Sequence, residues 1–176
     1  FLENDDNSIK ILDNRKQVIT EETAYQITSM LEGAVKRGTG KKLRNLNVPL
    51  AGKTGTTNDN FDAWFIGFTS NLVIGVYIGY DEPKSLGKYE TGSKVALPVF
   101  KKFIETALYK EDLRPFIVPD GIYFYPIDYD SGDLSNFADS QSITESFKEN
   151  SSQNVRLKNL NFGKNYGKSL KFKGFY

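Results

Sequence analysis

The sequence runs to 176 residues with 23 basic and 22 acidic side chains, and contains neither cysteine nor histidine. It is long enough for one domain with a substantial core, and its 39% hydrophobic and 14% aromatic content argues against global disorder. Without thiols or imidazoles, cysteine nucleophiles, histidine bases and the usual zinc ligands are excluded, so any proton transfer falls to lysine, carboxylate, tyrosine or water.

No apolar run reaches the roughly 18 residues of a membrane span, and no charged-then-apolar leader opens the chain. Any anchor or export signal is therefore expected outside this sequence. The chain begins at Phe1, which reads as an excised piece or a processed product. The net charge of +1 hides an asymmetry. Arg156, Lys158, Lys164, Lys168, Lys171 and Lys173 make residues 151–176 basic with no acidic side chain, so the body before them is net acidic.

In chain order, residues 8–13 alternate as a short strand and 14–16 turn it. A helix follows, capped by Thr20, acidic at its start through Glu21 and Glu22, and stopped by Gly38. Ala24, Ile27, Leu31, Ala34 and Val35 form its apolar stripe. Gly38-Thr39-Gly40-Lys41-Lys42 reads as a loop. Residues 47–57, 61–68 and 72–80 then read as three antiparallel strands, the last two joined by Thr69-Ser70-Asn71.

The second strand is apolar on both faces and is expected to be central and covered on both sides. In the third, Gly75 and Gly79 share a face that a helix over 95–108 can approach, with a stripe of Val99, Phe100, Phe103, Ala107 and Leu108. Residues 122–127 are expected to strap over the body, and 131–150 to be loop with one short helix over 143–147. The fold class expected is α+β, an antiparallel sheet flanked by helices.

The chemistry concentrates in Ala51-Gly52-Lys53-Thr54-Gly55-Thr56-Thr57. Lys53 supplies charge, the threonines supply hydrogen bonds, and Gly55 lets a peptide lie against the backbone, which suits a carbonyl substrate with a free carboxylate. A phosphate-binding loop would need glycine where Asn47 stands, and Pro49 and Leu50 stiffen that stretch. Downstream, Trp64 reads as a wall and Asp62 as a structural carboxylate paired with a lysine or backbone amides. Tyr77 and Tyr80 read as core or rim.

Lys-Thr-Gly is a signature of penicillin-binding proteins and class A β-lactamases. With Gly38-Thr39-Gly40 before it, and Asp62-Ala63-Trp64-Phe65-Ile66-Gly67, Gly79-Tyr80-Asp81 and Glu90-Thr91-Gly92 after it, the chain resembles the C-terminal part of the transpeptidase domain of a class A, bifunctional penicillin-binding protein. The resemblance runs from about Leu2 to Lys148 and is most specific between Gly38 and Leu108. It implies part of the family's five-stranded sheet over residues 1–109; an extension packed on it is expected over 110–150, and composition alone gives a basic, disordered tail over 151–176.

The activity implied is D,D-transpeptidation of peptidoglycan through a serine acyl-enzyme, on the periplasmic side of a bacterial inner membrane. By motif position, Lys53 favours the substrate carboxylate and joins the proton path. Thr54 and Thr56 hydrogen-bond that carboxylate, Gly55 keeps the cleft open, and Thr57 completes the substrate-binding segment. The Thr56 amide is the implied second oxyanion donor, worth about 2.7 to 4 kcal/mol of barrier. Stem peptides, β-lactams and the N-terminal remainder of the same protein are the implied partners, with no cofactor, metal or nucleic acid, and with membrane contact only through absent segments.

Neither Ser-x-x-Lys nor Ser-x-Asn precedes Lys53, so this segment alone is expected to be inactive. Ser85-Leu86-Gly87-Lys88 and Ser152-Gln153-Asn154 match those patterns only in a turn-rich stretch and a polar tail. Two alternatives stay open. One is a D,D-carboxypeptidase or β-lactamase using water as acceptor; the other is a non-catalytic module whose basic aromatic tail binds an anionic polymer.

Overall fold

The structure, a computed structural model, describes residues 16–107 and 114–149. The strand expected over 8–13, the tail over 151–176 and Leu108 lie outside the described residues. Helix α1 covers Glu21–Lys36, and the Thr20 hydroxyl accepts a hydrogen bond from the Thr23 amide at 3.3 Å, which satisfies one of the unpaired donors at the helix start. The loop after Gly38 tightens into a 3-10 turn at Lys41–Leu46 and ends at Asn47, whose φ of 55° turns the chain into the sheet.

Three antiparallel strands follow, β1 (Ala51–Thr56), β2 (Ala63–Phe68) and β3 (Val73–Ile78), in the order β1-β2-β3. Ala51 pairs with Phe68 and Thr56 with Ala63, while Ala63 pairs with Ile78 and Phe68 with Val73. Helix α2, Ala96–Ala107, closes one face of this sheet. Val35 of α1, Leu43, Leu50, Phe65 of β2 and Leu97, Phe100 and Ile104 of α2 form one buried cluster. Phe65 and Phe100 meet edge to face, with ring centroids 4.7 Å apart. The architecture is the expected α+β class.

Both apolar stripes differ from the expectation. In α2 the buried positions are Ala96, Leu97, Phe100 and Ile104, while Val99 and Phe103 are exposed. The helix is rotated so that the Leu97, Phe100 and Ile104 row meets the sheet. In α1 the sheet covers only the C-terminal half, where Gly33 and Val35 are buried, so Ala24 and Ile27 stay exposed.

The close helix approach also falls elsewhere. A methyl group on Gly75 would meet nothing within 4 Å, whereas a Cβ on Gly67 would lie 2.6 Å from Cζ of Phe100. Helix α2 therefore packs over Gly67 and the Ile74, Val76 and Ile78 side of β3, and the Gly75 face is open.

Among the described residues, central β2 is covered on that one face only. On the other, Trp64 is 40% exposed, Ile66 48%, Tyr77 50% and Val73 70%, beside Lys53 and Gly55 of β1.

The remainder is a hairpin of β4 (Ile122–Asp128) and β5 (Ser142–Lys148), which replaces both the strap and the short helix expected over 143–147. Ile143 and Phe147 are spaced like a helical pair, but they pair in register with Ile127 and Tyr123 of β4. Cross-strand pairing decides the conformation of so short a segment.

The hairpin is tied to α1 by Gln26 Nε2 donating to the Ser146 carbonyl at 3.1 Å, by an ion pair of Arg37 with Glu145, and by Lys148 with Thr23. Burial pushes the Glu145 carboxyl above the ordinary glutamate range, and Arg37 works against that rise.

Candidate functional site

Lys53, Thr54, Gly55 and Thr56 lie along β1, and Thr57 immediately follows it. Among the described residues β1 pairs only with β2, so its other side is a free edge. The ladder phase is fixed by the Thr57 amide donating to the Asp62 carbonyl at 3.1 Å. Antiparallel alternation then turns the backbone groups of Lys53 and Gly55 toward β2 and those of Thr54 and Thr56 out to the free edge.

The Lys53 side chain curls to that same edge. Its ammonium donates to the outward Thr54 carbonyl at 2.9 Å and lies 3.4 Å from the Thr54 hydroxyl. The Thr39 hydroxyl, on the loop after α1, is 2.8 Å from that of Thr54. Two residues on, the Thr56 hydroxyl accepts the Gly92 amide at 3.0 Å. The Lys53 ammonium and the Thr54 and Thr39 hydroxyls thus meet at one strand edge, along which the Thr56 amide is also turned outward. Such a set binds an anion and offers a donor to a developing oxyanion.

Glycine allows a close approach at two points around it. A Cβ on Gly92 would run into the carbonyl oxygens of Trp64 and Gly55, because this loop lies directly over the β1–β2 ladder. A Cβ on Gly55 would sit 3.1 Å from that of Trp64, its cross-strand partner, so Trp64 would have to give by a few tenths of an ångström.

Trp64 forms a wall with Tyr77, ring centroids 4.7 Å apart, on the open face of the sheet. Among the described residues, the Asp62 carboxylate takes Tyr77 as its partner rather than a lysine or a backbone amide. The Tyr77 hydroxyl donates to its Oδ1 at 2.8 Å. That hydrogen bond, then loss of solvation and the charges of Asp62 and Asp81, hold the Tyr77 phenol above the ordinary tyrosine range.

Thr57 serves the turn into β2. Its hydroxyl accepts the Asp62 amide at 2.7 Å and lies 3.4 Å from the Asp62 carbonyl. Ser85 is in non-helical chain, donates to the Asp59 carbonyl at 2.7 Å and accepts the Gly87 amide at 3.2 Å. It holds a loop, with no lysine one helical turn away to activate it. Ser152 lies outside the described residues. Lys53 in mid-strand also removes the phosphate-loop geometry, which needs a strand-loop-helix turn.

Sequence reasoning placed Lys53, Thr54 and Thr56 together but missed the Thr39 and Gly92 contacts. The only signal for them was their presence in the short Gly38-Thr39-Gly40 and Glu90-Thr91-Gly92 motifs.

Comparison with known proteins fits this geometry. The family model of the penicillin binding protein transpeptidase domain matches residues 3–105. Penicillin-binding protein 1A of Rickettsia prowazekii (strain Madrid E) is 47% identical over 137 residues, covering 78% of this chain and 17% of that protein. Penicillin-binding protein 1A of Pseudomonas aeruginosa is 43% identical over 114 residues, covering 64% of this chain and 14% of its own length.

The crystal structure of penicillin-binding protein 1A from Haemophilus influenzae superposes with a TM-score of 0.64 at 33% identity, over 74% of this chain and 21% of that one. The chain thus spans under a fifth of the curated relatives' length and a fraction of that fold. With its Lys-Thr-Gly strand at a sheet edge, its α+β architecture and a family match over more than half of its residues, the chain belongs to the penicillin-binding protein transpeptidase domain family.

Proposed function

We propose that this chain forms one wall of a peptidoglycan D,D-transpeptidase site whose nucleophilic serine lies in another part of a longer protein. The observation that carries the reading is the meeting of the Lys53 ammonium with the Thr54 hydroxyl at the free edge of β1, along which the Thr56 amide also turns outward. In this reading the serine oxygen attacks the penultimate D-alanine carbonyl of a stem peptide. The Thr56 amide stabilises the oxyanion, the C–N bond breaks, and the terminal D-alanine leaves with a proton. An amine of a neighbouring stem then attacks the ester, forms the cross-link and returns the serine hydroxyl.

The Thr54 and Thr56 hydroxyls bind the terminal carboxylate, and Lys53 adds the positive potential that draws it to the edge and takes part in the proton path. Gly55 leaves room for the peptide, and Thr57 closes the turn that sets Thr56. β-Lactams occupy the same wall. The exposed sheet face fits a further part of the same domain packing there, which accords with the small share of its relatives that this chain spans. Residues 1–109 belong to the transpeptidase domain in this scheme, 110–150 to an extension and 151–176 to a basic tail. The parent protein works on the extracytoplasmic side of the inner membrane, held by segments outside this chain. Among the described residues no helix is long and apolar enough to cross a membrane.

The test is Lys53→Ala in the full-length parent protein, followed by its acylation rate with a β-lactam. A loss of about two orders of magnitude or more is expected, the size of removing one well-placed electrostatic group from such a site. An unchanged rate would take Lys53 out of the mechanism.

A further inference from the structure

We propose that Thr39 is a positioning residue that turns the hydroxyl proton of Thr54 outward, toward a ligand carboxylate at the β1 edge. This rests on the function proposed above. A threonine hydroxyl has one proton to donate and two lone pairs with which to accept. At Thr56 the division is unambiguous, because the Gly92 amide fills the acceptor side and leaves the proton for another group.

At Thr54 the Lys53 ammonium is a donor at 3.4 Å, and Thr39 is the other neighbour at 2.8 Å. If Thr39 donates, Thr54 keeps its proton for the ligand. If Thr54 donates, that proton is spent on a neutral oxygen. A bound carboxylate favours the first arrangement, because a charge-assisted hydrogen bond is roughly twice as strong as a neutral one.

Thr39 is held for this task by backbone packing. The Gly40 amide donates to the Ala34 carbonyl at 2.9 Å, and Cβ atoms on Gly38 and Gly40 would lie 3.0 and 3.1 Å from that same oxygen. Only glycines let the loop press so closely against the end of α1. That end is tied in turn to β5 by Arg37 and Glu145. Thr39 therefore stands at a fixed reach from Thr54 and restricts its rotamer.

The experiment compares wild type, Thr39→Val and Thr39→Ser in the full-length parent protein. Acylation is measured with benzylpenicillin and with its methyl ester, which lacks the carboxylate, and initial binding is separated from the acylation step. Thr39→Val is expected to slow reaction with the free acid about tenfold, mainly through weaker initial binding, as for a lost hydrogen bond to a charged group. Thr39→Ser should stay close to wild type, and the ester should react equally with all three.

An unaffected Thr39→Val, or an equal loss on acid and ester, would overturn the assignment, since the latter marks a merely structural defect. A wild type acylated by neither compound would instead overturn the proposed function and this inference with it.

Discussion

A hydroxyl group offers a ligand only what its neighbours leave over, so the residues behind Thr54 and Thr56 matter as much as the threonines themselves. Lys53, Thr54 and Thr56 were legible in the sequence because three chemically suited residues follow one another in a short motif. Their partners were not. Thr39 stands 15 residues before Thr54, and Gly92 stands 36 after Thr56, with nothing in local pattern to join them.

The Asp62 partner was hidden for the same reason, since Tyr77 reaches it across β2 and β3 from 15 residues away. That contact gives a prediction at this scale. The Tyr77 phenol is raised chiefly by its hydrogen bond to Asp62, so the stability this contact contributes is present below the ordinary tyrosine range and lost as pH rises through the folded value. Asp62→Ala removes both the hydrogen-bond acceptor and the carboxylate charge and should move the titration of Tyr77 down toward the ordinary range. Ultraviolet phenolate absorbance, compared with a Tyr77→Phe control to assign the signal, measures it; an unmoved titration would mean that Asp62 does not set it.

At the scale of elements, the sequence punctuated α1 well, because Thr20, Glu21, Glu22 and Gly38 act on the helix through the backbone next to them. The three sheet strands were legible from their short apolar runs and from the Thr69-Ser70-Asn71 turn. Helix rotation was not, because Val99 and Phe103 are as apolar as Leu97 and Ile104, and only the shape of the sheet chooses between the rows. The hairpin was missed because Ser142–Lys148 becomes a strand through its partner β4 rather than through its own pattern.

The packing of α2 supplies a paired test. Gly67→Ala drives a methyl group into the Phe100 ring and should destabilise the fold by about 1 to 3 kcal/mol, the usual range for overpacking. Gly75→Ala meets nothing within 4 Å and should be neutral or mildly stabilising. Denaturant unfolding of the two variants reads the difference; equal effects would mean that α2 does not lie over Gly67.

At the scale of the molecule, the described residues are finished on one side and open on the other. One sheet face is sealed by α2 and the end of α1, while the opposite face leaves Trp64, Ile66, Val73 and Tyr77 exposed beside Lys53. Apolar β2 was expected to be covered on both sides, and its second face is apolar without a cover among the described residues. In the function proposed above, that open face packs against the rest of a longer protein, as the 17% span of a relative 47% identical to the chain leaves room for.

Everything proposed for the Lys53 wall depends on its serving a serine outside the chain. The decisive experiment treats the full-length parent protein with a β-lactam, digests it and maps the acyl adduct by mass spectrometry, alongside this chain treated alone. One adduct is expected, on a serine outside these 176 residues, and none on the isolated chain. An adduct on Ser85 or any other serine of this chain, or no adduct on the full-length protein, would overturn the proposed role of the wall.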